Sequence, residues 1–171
     1  MNSTTKQAKM IDKSQVYEEV LKVLAERNNT AQLAAKQAYE AATNSESVAE
    51  NKYDTFGLEA SYLAHGQSQR LLECQQEYLA FTKWQPDSFG SDDEIKLGAL
   101  VSLLNPDLGL EKHLFIAPIA GGLSINIGDK KVLIISPSSP VARAIWHKSL
   151  DSEVELPVSG QKVSFCVEYI A

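Results

Sequence analysis

Between Lys13 and Thr82 the chain contains no proline, and a small or apolar residue recurs there at alternating steps of four and three: Tyr17, Leu21, Leu24, Asn28, Ala31, Ala35, Ala38 and Ala42. This spacing is a heptad seam about four repeats long, the pattern of one helix face held against another. A second seam follows at Tyr53, Phe56, Ala60, Leu63, Gln67, Leu71, Cys74, Tyr78 and Phe81. If the two helices fold back antiparallel, residues at one height have position numbers with a nearly constant sum. They do. Tyr17 with Tyr78, Leu21 with Cys74, Leu24 with Leu71, Asn28 with Gln67, Ala35 with Ala60 and Ala42 with Tyr53 share the sum 95, and Ala31 with Leu63 and Ala38 with Phe56 share 94. Half of that value places the reversal at Ser47 and Val48. Helices of about thirty residues at ~1.5 Å rise make a rod of roughly 45 Å.

The register carries two expectations. Asn28 and Gln67 are the polar members of the two seams and fall opposite each other, so each amide is expected to satisfy the other and pin the alignment. Toward the reversal the first seam becomes all alanine and faces Tyr53, Phe56 and Leu63, so large side chains are expected to pack on small ones.

The chain changes character near Trp84. All six prolines and seven of the nine glycines lie after Lys83, a switch from a helical region to strands and turns. Residues 1–83 are therefore assigned to a helical hairpin, 84–93 to a linker, and 94–171 to a second domain. In that domain Ile95, Leu97, Ala99, Val101 and Leu103 alternate with mostly polar or small neighbours, as do Val163, Phe165, Val167 and Tyr169, the period of half-buried strands. HLFIAP, KVLIIS and VEL are further strand candidates, with turns at Gly121-Gly122 and Ile127–Lys130. In SPSSPVARAIWHK, Ser139 suits a helix N-cap and Pro140 the first helical position, where its missing N–H costs nothing. The expected fold class is α+β: an antiparallel coiled-coil hairpin followed by a small, mainly antiparallel sheet domain with one short helix.

Composition narrows the function. A formal net charge of −6 repels phosphate backbones as a whole, so contact with nucleic acid is expected only indirectly. No apolar run reaches the length of a membrane span, and the polar start lacks a secretory signal, so no membrane partner is expected and the location is read as cytoplasmic. Cys74 and Cys166 each sit in an apolar pattern and read as free thiols. His65, His113 and His147 are isolated in sequence, and no zinc spacing, phosphate-cradling loop or GxSxG elbow is present. No intrinsic cofactor or metal is expected in the free protein, and a pocket enzyme is poorly supported.

The remaining candidates for chemistry lie at the reversal, TNSESVAENKYD. Glu46, Glu50 and Asp54 are spaced by four and share a face wherever the chain is helical. Ser47 to Glu50 also forms a capping box, and acids in a first turn offset the helix dipole. The two roles are compatible: an acidic tip on a long rod can deliver carboxylates, and with them a shared Mg²⁺, into a site on another molecule.

With these residues in view, the chain resembles the Gre transcription elongation factors, the GreA/GreB family, over nearly its whole length. The similarity is carried by IKLGALVSLL, by SPSSPVARAIWHKSLDSEVELP and by VSFCVEYI. Within the middle stretch Ser139, Pro140, Ala142, Arg143, Ile145 and Lys148 match the family's Ser-Pro-x-(A/G)-R-x-(L/I)-x-G-K segment, and His147 replaces its glycine. The resemblance implies an FKBP-like second domain that docks on RNA polymerase at the rim of its secondary channel, with Ser139, Pro140, Arg143 and Lys148 as partner-binding residues. It implies a hairpin threaded toward the active centre, where tip acids help bind Mg²⁺ shared with the polymerase for hydrolysis of backtracked RNA. Glu50 and Asn51 match the E-N of the family's tip, Ser47 stands where the family has aspartate, and Glu46 and Asp54 are the neighbouring acids. The chain is then an accessory factor rather than an enzyme. The alternative is a non-catalytic coiled-coil adapter that binds the polymerase or another protein without stimulating cleavage.

Overall fold

A computed structural model describes residues 10–44, 55–90 and 92–171; the tip residues Glu46, Ser47, Glu50 and Asp54 lie outside them. Helix α1 spans Lys13–Thr43 and α2 spans Phe56–Lys83. Six strands follow, β1 Leu100–Asn105, β2 Leu110–Ile116, β3 Ser124–Ile127, β4 Lys130–Ile135, β5 Glu153–Val158 and β6 Gln161–Ile170, with α3, Pro140–Ile145, between β4 and β5. The fold is α+β, a long helical hairpin followed by a sheet domain. Two compact units divide the chain: Leu21–Trp84 forms one, and residues up to Val20 join Gln85–Ala171 in the other.

In the hairpin unit, Leu24, Ala31, Ala35 and Ala38 are buried, while Leu21, Asn28 and Ala42 are half-buried, so the expected seam of α1 does face inward. The α2 seam holds from Gln67 through Leu71, Cys74 and Tyr78 to the fully buried Phe81. Nearer the reversal it differs from expectation. Phe56 and Leu63 are 61% and 56% exposed, and Gly57, Ala60 and Ala64 take the inward positions. From Gln67 toward the reversal the stripe steps three, four, three rather than four, three, four. A straight helix at 3.6 residues per turn permits either phase, and this one sets small residues against the alanines of α1. The amide pin also fails: among the described residues, Asn28 Oδ1 is a buried polar atom without a hydrogen-bond partner, so the seam carries an unsatisfied acceptor instead of a paired one.

The sheet runs in the order β3-β4-β2-β1-β6-β5, with β2 and β4 parallel and the other neighbours antiparallel. Gly128 takes the first central position of the two-residue β3–β4 turn with φ 63°, a left-handed backbone that glycine adopts without a Cβ clash. One face buries Val101, Leu103, Leu114, Ile116, Leu156, Phe165, Val167 and Ile170 with Ala142 and Ile145 of α3. Sequence alternation places Tyr169 on that face; the structure buries Ile170 there instead. The register jumps from Ser102 opposite Tyr169 to Leu103 opposite Val167, leaving Glu168 as the extra residue of a β-bulge. A bulge reverses the inside-outside alternation beyond it.

The start of α1 belongs to this unit. Ile11, Val16 and Val20 are buried. The Lys13 ammonium donates to the carbonyl of Asp87 and, at 3.3 Å, to that of Gly98, and lies 4.7 Å from the centre of the Phe89 ring. Burial lowers the Lys13 pKa, opposed by the charge of Asp87. Charge-assisted bonds to two carbonyls fasten residues 87–98 to the first turn of the helix.

If the small-residue stripe sets the hairpin, Ala35→Leu overpacks it and lowers unfolding free energy by about 1–3 kcal/mol, whereas Leu63→Ala stays within about 0.5 kcal/mol of the parent. Urea denaturation of the two variants checks this; the reverse ranking would restore the large-on-small phase.

Candidate functional site

The SPSSP serines are structural. Ser139 Oγ accepts from the Ala142 N–H at 3.1 Å, Pro140 opens α3, and Ser136 and Ser138 hydroxyls lie 3.1 Å apart. This capping leaves Arg143 on the exposed side of the short helix and Lys148 exposed just beyond it. Neither forms an ion pair among the described residues, so two positive charges are offered to solvent at the segment's end.

Between them the backbone makes a type II turn. Trp146 has φ −61° and ψ 134°, His147 has φ 59°, and the Lys148 N–H reaches the Ile145 carbonyl at 3.1 Å. The third residue of such a turn needs a positive φ, which normally selects glycine. His147 fills it under restraint: its N–H bonds the Ile95 carbonyl at 3.0 Å, and its Nδ1 lies 2.8 Å from the Glu94 carboxylate. The Lys148 carbonyl accepts in turn from the Ile95 N–H at 2.8 Å.

A second constellation was not legible from isolated histidines. Glu111 and His113 are two apart on β2 and so share a face, and Ser102 is the cross-strand partner of His113. Ser102 Oγ lies 2.8 Å from His113 Nδ1, and His113 Nε2 lies 3.5 Å from Glu111, which also pairs with Lys130 at 3.9 Å. These groups border a cleft of about 280 Å³ with Met10, Ile11, Glu168 and Tyr169. The bulge accounts for the last two, since it lets consecutive residues of β6 reach one side. His113 is 8% exposed. Burial holds its pKa below the ordinary value, helped by Lys130 and opposed by Glu111.

Hydroxyl, imidazole and carboxylate stand in the order of an activated nucleophile. However, 3.5 Å is longer than a hydrogen bond, and Lys130 competes for the carboxylate. The cluster therefore stores a neutral histidine rather than arming Ser102. The E-x-H spacing was the available signal; the serine required knowledge of strand register. Among the described residues no group of three or more His, Cys, Asp or Glu is placed to hold a metal ion. Cys74 and Cys166 are free thiols, and no described helix is long and apolar enough to cross a membrane.

No family model and no curated protein matches the sequence. Among solved structures the chain is similar to GreA factor homolog 1 (Gfh1) of Thermus thermophilus, at 18% identity over 88% of this chain and 94% of that one, with TM-score 0.38. Thermus aquaticus Gfh1 is 21% identical over 90% and 92%, with TM-score 0.38. A prokaryotic transcription elongation factor GreA/GreB from Nitrosomonas europaea is 14% identical over 61% and 89%, with TM-score 0.36. Matches at this level bear on no single residue's role.

Two outcomes check the geometry. For His113 the folded pKa lies below the unfolded one, so the unfolded chain binds more protons and stability is lost as pH falls below about 6.5. The drop in unfolding free energy from pH 7 to pH 5 is therefore expected to be smaller in His113→Gln than in the parent. At the type II turn, His147→Gly is expected to be near neutral, the relieved strain offsetting the lost Glu94 pair and the added chain entropy. His147→Val should cost about 1–2 kcal/mol, read by urea denaturation.

Proposed function

We propose that this chain is a Gre-like factor that binds RNA polymerase and regulates transcript elongation. One observation carries the reading. The segment from Ser139 to Lys148 matches the family's pattern except at His147, and His147 stands at φ 59° in a type II turn, the conformation for which the family's glycine is suited. The single departure in the motif thus preserves the backbone that the motif encodes. The capped helix and the turn offer Arg143 and Lys148 to a partner surface, with Ser139 and Pro140 fixing the helix that carries Arg143.

The hairpin supplies the second part. In this reading it enters the secondary channel, and Glu46, Glu50 and Asp54 at the reversal approach the polymerase's active centre, where they would share a Mg²⁺ ion with it. Carboxylate oxygens suit that ion, and in such a site it would polarise phosphate and water. The protein itself remains an accessory factor, meeting nucleic acid only through the polymerase. Ser47 in place of the family's aspartate favours a second reading, in which the chain occupies the polymerase without stimulating cleavage.

Affinity capture with core RNA polymerase tests the first part: the parent is expected to co-purify, and the Arg143→Glu/Lys148→Glu double variant to bind at least about tenfold more weakly. No association of the parent would sink the proposal. Halted elongation complexes separate the two readings. Cleavage that is lost in a Glu46→Ala/Glu50→Ala variant supports delivery of carboxylates, and absence of stimulation by the parent supports the non-catalytic one.

A further inference from the structure

The cleft beside His113 crosses four neighbouring strands of the sheet, from Lys130 on β4, past Glu111 and His113 on β2 and Leu104 on β1, to Glu168 and Tyr169 on β6. Its volume of about 280 Å³ lies near the lower end for small-molecule sites. Two features distinguish it from a surface dent. His113 is more than nine-tenths buried and its ring borders the cleft, yet its Nε2 has no hydrogen-bond partner among the described residues, because Glu111 Oε2 at 3.5 Å is too distant. The same Glu111 oxygen lies 3.9 Å from the Lys130 ammonium. A cation, an anion and a neutral imidazole therefore converge within 4 Å of one oxygen, and neither contact closes as a hydrogen bond. The nearby carboxylate favours the imidazole proton on Nε2, with the Ser102 hydroxyl then donating to Nδ1 at 2.8 Å.

We infer that this cleft binds a free α-amino acid with a basic side chain. The α-carboxylate accepts from the Lys130 ammonium and the His113 Nε2–H, and the α-ammonium donates to Glu111. A simple anion would meet the Glu111 carboxylate, and a simple cation would meet the Lys130 ammonium; a zwitterionic head, with unlike charges on one carbon, leaves each group paired. The far end selects the side chain. Two strand spacings of ~4.8 Å set Glu168 roughly 10 Å from Glu111 across the sheet. An extended lysine or arginine side chain bridges that span, its methylenes lying along Leu104 and Tyr169 and its charged end on Glu168. The charges also balance: with His113 neutral, Lys130 against Glu111 and Glu168 leaves the lining one negative charge, and such a ligand carries one positive charge.

Calorimetric titration of the full chain with free lysine and free arginine tests this, at about pH 7.5, where His113 is neutral, over about 10 µM to 10 mM ligand. Saturable binding of one molecule per chain is expected, at least about tenfold weaker for leucine. Nα-acetyl-lysine and lysine amide, each lacking one half of the head, are expected not to bind. Lys130→Met should abolish binding of lysine and leucine alike. Glu168→Gln should bring lysine down to the level of leucine while leaving leucine unchanged, a split that a general loss of structure does not produce. Absence of saturable binding by both basic amino acids overturns the proposal, as does undiminished binding of Nα-acetyl-lysine or a lysine preference that survives Glu168→Gln. Equal binding of acetate or methylamine also overturns it, by reducing the cleft to a site for a simple ion. The titration contains no polymerase, so its failure leaves the functional reading standing.

Discussion

The lack of side-chain volume at Ala31, Ala35 and Ala38 controls what the hairpin can present. Large residues of α2 have no need to fill that stripe, because Gly57, Ala60 and Ala64 turn toward it. Phe56, Leu58, Tyr62 and Leu63 are consequently left outside. A chain that buried them would gain roughly 1.5–3 kcal/mol for each full side chain; this chain spends that apolar surface on its exterior. The described hairpin is then held mainly toward the end away from the reversal, where Leu24 and Phe81 are fully or almost fully covered, and one turn beyond Leu24 it carries an unpaired Asn28 acceptor. Such a hairpin is a presenting element more than a core.

The sheet domain solves the opposite problem. Its α3 face is closed by aliphatic and aromatic side chains, and its departures from regularity are confined to places that re-aim residues. The bulge at Glu168 turns Ile170 into the core and brings Glu168 and Tyr169 to the His113 cleft. The left-handed His147 redirects the chain after α3 so that Lys148 emerges exposed while its carbonyl is tied to Ile95. Both irregularities involve conformations or registers that cost something locally and are held by hydrogen bonds to neighbouring strands or segments.

The two units present different kinds of surface. The sheet domain exposes the charges of Arg143 and Lys148 on a capped helix and turn, and the hairpin exposes apolar side chains of α2. Neither unit brings a metal cluster or an armed nucleophile among the described residues.

Much of the architecture was legible in the sequence because local rules act over short distances. The proline-free heptads, the alternating strands and the Ser139-Pro140 cap each depend on neighbours within a turn or two of the chain, and both helices, the cap and most strands formed where those rules put them. The alternation from Ile95 to Ala99 instead precedes β1 as coil and a turn at Leu97-Gly98, since the left-handed Gly98 breaks the extended chain there. Three further features were not legible, for one common reason. The phase of α2 between Phe56 and Gln67, the reversal of Tyr169 and Ile170, and the meeting of Ser102 with His113 are all decided by what lies across a helix or strand boundary. Residue spacing fixes which side chains share a face; only packing against a second element decides which face turns inward, because burial energy is a property of the pair and not of either segment alone.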